Sequence, residues 1–401
     1  MTTFLPDGLR TLHLRSDSPV AYCGIAIQAG TRNETPQEQG LAHFCEHLTF
    51  KGTRRRSALQ IINAIEGLGG ELNAFTNKED TVFYCAIQRE HLRKALHVLA
   101  DIVFDSQYPQ AEVEKECEVV CDEIESYEDS PAELIYDEFE NILFEGLPLG
   151  HNILGTTSHV RSYTSEDVRR FTQKWYRPEN CVLFISGSAK TETENDSFSA
   201  EADKSQRNNK QTDAHLVAPA KTIVRERGTH QAHVMTGTPA FSAGDDRRWT
   251  LYLLNNILGG PGMNSRLNLA LRERNGLVYT VESTMVSYSD TGLWSIYFGC
   301  DPDDVQHCLR LVRRQLDRLM EKPLSETQMR AAKQQLQGQL AIACDNREQY
   351  VLDIARAFLH TGQPRTLADV MAHINGLTSA DLQATARQLF AEERMTTLIY
   401  R

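Results

Sequence analysis

Two histidines and a glutamate stand in the pattern H-x-x-E-H within Leu41-Ala42-His43-Phe44-Cys45-Glu46-His47-Leu48. The pattern reverses the commoner H-E-x-x-H zinc motif. On an α-helix, residues four apart lie about 40° apart around the axis, so His43 and His47 share a face. Two imidazoles one turn apart can bind the same zinc ion. Glu46 sits beside both and can reach a water on that ion without being a ligand, the place of a general base. Cys45 points away and is not counted among the ligands. These side chains suit the middle of an apolar helix poorly unless something satisfies them. A catalytic zinc site keeps three protein ligands and an open fourth position, so the motif predicts a third donor downstream.

The acidic stretch from Glu112 to Glu140 is where that donor is to be sought. Most of its carboxylates read as a solvated helix face. Glu116 and Glu123 are seven apart and share nearly the same face. Glu123 lies in Val119-Val120-Cys121-Asp122-Glu123-Ile124, where apolar neighbours imply partial burial. A buried carboxylate without a cation is costly, and a zinc ion removes that cost. Chain order alone does not separate Glu123 from its neighbours.

The elements that must position these groups follow from pattern. The first half opens with a strand over Val20 to Gln28, then a polar loop, Thr31 to Gln39, leading through Gly40 into the metal helix. Ser57 is a plausible cap for a second helix. Strands over Glu71 to Thr76 and Thr81 to Gln88 form a hairpin. Helices are expected over Glu90 to Phe104, from about Pro109 to Tyr127, from Pro131, and over Ser165 to Lys174. A strand over Asn180 to Gly187 closes the half. The second half repeats this order: a strand near Gln231 to Gly237 and a helix from Asp246 to Leu258. Strands follow over Val278 to Tyr288 and Gly292 to Cys300, then helices to Glu392 and a last strand over Met395 to Tyr400. The expectation is an α+β fold of two similar domains, a duplicated unit: 1–188, a polar linker over 189–215, and 216–401. The linker has almost nothing to bury.

At 401 residues the chain is long enough for two domains. Its net charge of −12 argues against a nucleic-acid protein. No apolar run is long enough to span a bilayer. The nine cysteines are scattered without a CxxC pair, and Met1 to Gly8 lacks signal or transit-peptide character. A cytoplasmic protein is the expectation. Lys51-Gly52-Thr53-Arg54-Arg55-Arg56 reads as a solvated connection, and Gly259-Gly260-Pro261-Gly262 as a turn, since it lacks the Lys-Ser/Thr of a phosphate loop.

The sequence resembles the pitrilysin family of zinc peptidases, in the short-chain subgroup similar to mitochondrial processing peptidase. In that family H-x-x-E-H is followed about 76 residues later by a ligand glutamate in a V-I-x-x-E-type segment. Here His47 and Glu123 are 76 apart and Val119-Val120-Cys121-Asp122-Glu123 fits. The likeness extends to Gly69-Gly70-Glu71-Leu72-Asn73-Ala74-Phe75-Thr76, to Leu258-Gly259-Gly260, to Ser265-Arg266-Leu267, and to Leu271 through Tyr279.

The resemblance implies one zinc ion per chain held by His43, His47 and Glu123, with Glu46 as general base. It implies that Glu116 supports the site by orienting a ligand histidine; the plain alternative is an exposed acid. Asn73, Ala74, Phe75 and Thr76 resemble a substrate cradle to which an extended peptide adds as a strand, although Asn73 alone could be an ordinary turn residue. Arg272 and Tyr279 match a pair that reaches the substrate carbonyl opposite the metal. That pair lies in the other half, so a homodimer is expected in which the second half of each copy faces the metal helix of the other; a heterodimer is the alternative. The implied activity is endopeptidase action on peptides or unfolded chains in an enclosed chamber. The rival is a non-catalytic subunit of a peptidase-like complex, which the complete motif disfavours.

Overall fold

The computed structural model describes residues 5–187 and 220–401. In the first of its two five-stranded sheets, β1 (Arg10–Leu14), β2 (Val20–Ile27), β3 (Glu71–Thr76), β4 (Thr81–Gln88) and β5 (Cys181–Ser186) lie in the order β1-β5-β2-β4-β3. In the second, β6 (Thr222–Arg225), β7 (Ala232–Ala240), β8 (Val278–Ser287), β9 (Gly292–Cys300) and β10 (Thr396–Tyr400) lie in the order β6-β10-β7-β9-β8. Each strand of the second sheet takes the place of the strand five earlier. Directions repeat as well: β1 with β5 and β6 with β10 are parallel edge pairs, and the other neighbours are antiparallel. The expected α+β fold of two similar units is present.

The helices before the second sheet are α1 (Leu41–Thr49), α2 (Ala58–Ile65), α3 (Leu92–Asp105), α4 (Gln110–Glu128), α5 (Pro131–Leu143), α6 (Thr157–Val160) and α7 (Ser165–Trp175). Those after β7 are α8 (Arg247–Gly259), α9 (Val305–Glu321), α10 (Glu326–Ala343), α11 (Arg347–Thr361), α12 (Leu367–Gly376) and α13 (Ser379–Leu389). Ser57 caps α2 as expected, its side chain accepting from the amide of Gln60 while Gln60 reaches back.

The described residues form two compact units, 5–126 with 146–187 and 344–366, and 127–145 with 220–343 and 367–401. Neither is one uninterrupted run, so a division into 1–188 and 216–401 does not capture them. Helix α5, from the first half of the chain, packs on β7 and β10; α11, from the second half, packs on β1, β2 and β5. The amphipathic pattern of each helix says that one face is buried, not which sheet buries it. The linker read over 189–215 lies outside the described residues.

Period-two alternation sets the two faces of the first sheet. Cys23, Ile25 and Ile27 of β2, Phe83, Cys85 and Ile87 of β4, and Cys181 and Leu183 of β5 point to one core, with α1 and α3 over it. The intervening Ala26, Val82, Val182 and Phe184 meet Val351, Leu352, Ala355 and Phe358 of α11 on the other face. At the β3–β4 turn, α11 is also held by charge. The buried carboxylate of Asp80 accepts from His360 at 2.9 Å and from Arg356 at 3.0 and 3.2 Å.

Candidate metal centre

The metal helix starts from a sharp turn at Gly40. Its φ of 87° is in the left-handed region, and a Cβ there would lie 2.4 Å from the Leu154 carbonyl oxygen. The first helical amides are taken by Glu34, whose carboxylate accepts from the amides of Gly40 at 3.0 Å and Ala42 at 2.8 Å. An anion suits this end of the helix dipole. Burial nevertheless pushes the Glu34 carboxyl well up. Leu41, Phe44, Cys45 and Leu48 turn into the core, with Cys45 away from the ligands as its spacing predicts.

Glu123 reaches the histidine face of α1 from α4, and it is exposed, not partly buried as its apolar neighbours implied. His43 Nε2 is 3.8 Å from Glu123 Oε1, and His47 Nε2 is 3.5 Å from Glu123 Oε2. One ligand atom from each of the three lies within 4.8 Å of the others. The two closer separations exceed a good hydrogen bond. Each runs to a different oxygen of Glu123, and each is near the donor–donor spacing of about 3.3–3.4 Å expected around zinc with bonds of about 2.0–2.1 Å. Burial, with His47 nearby, holds His43 down to about 3, so its ring is neutral and can offer a lone pair. Its Nδ1 has no partner among the described residues. Two imidazoles and a carboxylate at these spacings fit zinc.

Around the donors, Glu116 accepts from His47 Nδ1 at 3.0 Å and from Lys51 Nζ at 2.5 Å. Glu116 is thus buried and engaged, not an exposed acid. Burial alone raises its carboxyl, but the bonds from His47 and Lys51 outweigh that and leave it below its ordinary value. Lys51 corrects the reading of its segment as merely solvated: its ammonium is the counter-charge of Glu116. Burial pulls His47 down, while Glu116, Glu123 and Glu46 together bring it above its ordinary value. A cation among the three donors reverses that balance by repelling the second proton.

Glu46 lies on the same face, and its Oε2 accepts from Thr76 Oγ1 at 2.5 Å. Burial raises its carboxyl; the Thr76 bond and His47 pull it part of the way back. A raised carboxyl suits a group that takes up and returns a proton. Asn73, Ala74 and Phe75 precede Thr76 on β3, one of the two edge strands of its sheet among the described residues, with Asn73 exposed and Thr76 buried. Sequence reasoning missed Glu34, Lys51 and the Thr76–Glu46 bond. Only Glu34 left a signal, an acid shortly before a helix start.

Arg272 and Tyr279 belong to the other compact unit. Arg272 is in a π-helical turn, Asn268–Glu273, of a kind frequent at functional sites, and lies 3.1 Å from Glu273. Tyr279 is 87% exposed at an irregularity in the β8–β9 pairing. Both line a cavity of about 510 Å³ together with Asn255, Asn256 and Gln339.

Among the described residues, no helix is long and apolar enough to cross a membrane. Residues 11–157 match the family model described as insulinase, peptidase family M16, and residues 162–336 the one described as peptidase M16 inactive domain. An uncharacterised zinc protease of Streptomyces coelicolor is 35% identical over 99% of this chain and 88% of its own length. One from Bacillus subtilis is 32% identical over 94% and 92%. The fold is shared with a crystal structure of a protease from Helicobacter pylori, at a TM-score of 0.87 and 20% identity over 99% of this chain and 98% of that one. With its two histidines and glutamate converging as they do, the chain belongs to the M16 (insulinase/pitrilysin) family of zinc proteases.

Proposed function

We propose that the protein is a zinc endopeptidase that cleaves peptides or unfolded polypeptides within an enclosed chamber. The observation that carries this is the convergence of His43, His47 and Glu123 with the carboxylate of Glu46 beside them. A zinc ion held by the three donors supplies Lewis acidity, which polarises a carbonyl and lets water lose a proton near neutral pH. Glu46 accepts that proton as water attacks the scissile carbonyl and returns it to the leaving nitrogen. Glu116 fixes the tautomer of His47 so that Nε2 faces the donors.

The peptide adds along β3, main chain to main chain, beside Asn73, Ala74, Phe75 and Thr76, since β3 is an edge strand. Arg272 and Tyr279 stabilise the developing oxyanion. Because they and the metal donors lie in different units, the proposal includes a homodimer in which each copy supplies the pair to the other. Mixing Glu46→Gln chains with Arg272→Ala chains tests it: exchange between copies restores one complete site per mixed dimer and recovers activity. No recovery, with mixed dimers formed, rules the sharing out. A cytoplasmic location is part of the proposal, and cell fractionation checks it.

Glu46→Gln tests the chemistry. Zinc is retained at one per chain while peptide cleavage falls by about 10²–10⁴. Undiminished cleavage removes Glu46 from the mechanism.

A further inference from the structure

We infer that Thr76 is a positioning residue: its hydroxyl holds one oxygen of Glu46 so that the other faces the reacting water, and it ties that hold to the strand on which the peptide docks. The inference rests on the peptidase reading above and adds to it a route from substrate seating to the proton-transfer group.

Thr76 is the last residue of β3, and its hydroxyl donates to Glu46 Oε2 at 2.5 Å. Its place is fixed from behind. Thr81, directly opposite in the β3–β4 register, donates its own hydroxyl proton to the Ala29 carbonyl at 2.9 Å and lies 3.4 Å from the Thr76 oxygen. With the Thr81 proton committed, the Thr76 proton goes to Glu46. Thr76 and Glu46 are both buried, so the bond is little screened by water. It leaves Oε1 of Glu46 as the oxygen without that donor. An incoming strand that orders β3 therefore also orders the donor on Glu46.

The second unit has a hydroxyl bond from strand to helix as well, at a different register and with a different end. Ser283 of β8 donates to Asn255 Oδ1 of α8 at 2.7 Å. Strand β8 and helix α8 hold the places that β3 and α1 hold in the first unit, α8 following β7 as α1 follows β2. An asparagine amide cannot take a proton from water. Ser283 lies opposite Ile296 within β8, whereas Thr76 ends β3 opposite Thr81, so the bond to a carboxylate belongs to the first unit's own register.

The test compares Thr76→Val, Thr76→Ser and Glu46→Gln on a quenched fluorescent peptide, with zinc content and melting temperature measured for each. Strand addition uses the main chain of β3, so Thr76→Val keeps its zinc and a KM within about twofold, while kcat falls by about 10–100-fold. Thr76→Ser, which keeps the hydroxyl, recovers kcat to within about threefold of the parent. In the Glu46→Gln background Thr76→Val has no further effect, because the two act as one unit. The inference is overturned if Thr76→Val keeps full kcat while Glu46→Gln is inactive. It is also overturned if the loss follows zinc content, or if serine fails to recover activity. Undiminished cleavage by Glu46→Gln removes Glu46 from the mechanism and this inference with it, whereas a zinc-loaded parent that cleaves no peptide overturns the peptidase reading itself, a distinct result. If Thr76→Val shows no melting transition, Thr76→Ala is judged by the same criteria.

Discussion

Nδ1 of His47 donates a 3.0 Å hydrogen bond to Glu116, whose other oxygen is held by Lys51. A metal-binding imidazole depends on such a partner for its tautomer and its orientation. Replacing Glu116 by Ala is expected to weaken zinc binding about 10–100-fold. Lys51→Met should weaken it less, because the Glu116–His47 bond survives. Competition against a chromophoric chelator measures both; equal affinities in all three proteins would remove the pair from the site.

Metal removal should separate function from fold. The apolar face of α1 packs into the core without help from the ion, so chelator-treated protein keeps its far-ultraviolet circular dichroism. It loses peptide cleavage and melts lower. At free zinc about 1,000 times the Kd, binding contributes about 4 kcal/mol. Glu123→Ala should melt at the metal-free temperature and gain little from added zinc.

Asp80 gives a dependence on pH. Burial alone would raise its carboxyl, but His360 and Arg356 bring it down to about 2. That is below the unfolded value of about 3.9. Its stabilising contribution is therefore complete above about pH 4 and is lost as pH falls through about 2. Asp80→Asn should cost about 3 kcal/mol at pH 7, where it breaks a buried ion pair, and much less at pH 2. Urea unfolding at the two pH values decides; an equal cost at both contradicts the assignment.

Gly40→Ala should be destabilising by more than about 1 kcal/mol. A methyl group there is disfavoured by the positive φ and by the Leu154 carbonyl 2.4 Å away. Because Gly40 opens the metal helix, zinc affinity should fall with the melting temperature. A melting temperature unchanged from the parent would show that the turn relaxes.

Much of this was legible from residue order. The helix bearing His43 and His47, the β3–β4 hairpin and the α2 cap follow local rules, periodicity and side-chain capping. Strands β1 and β6 were not read. Each is four or five residues long, and each pairs in parallel with a strand more than 150 residues further along, β5 or β10. Nothing in Arg10–Leu14 or Thr222–Arg225 announces so remote a partner. Lys51 was hidden by the arginines after it: its composition matched a solvated run, and only tertiary packing brings it onto Glu116. Helices α5 and α11 were expected as helices, yet neither pattern names the sheet it covers.

That crossing of helices bears on how the chain is made. As it leaves the ribosome, β1 to β5 are complete by residue 186, but among the described residues the helix that covers Ala26, Val82, Val182 and Phe184 emerges only with Val351 to Phe358. The amino-terminal unit therefore cannot mature while the carboxy-terminal one is still being synthesised, contrary to the usual order of domains. A nascent chain stalled before α11 presents an apolar sheet face, a natural target for chaperones.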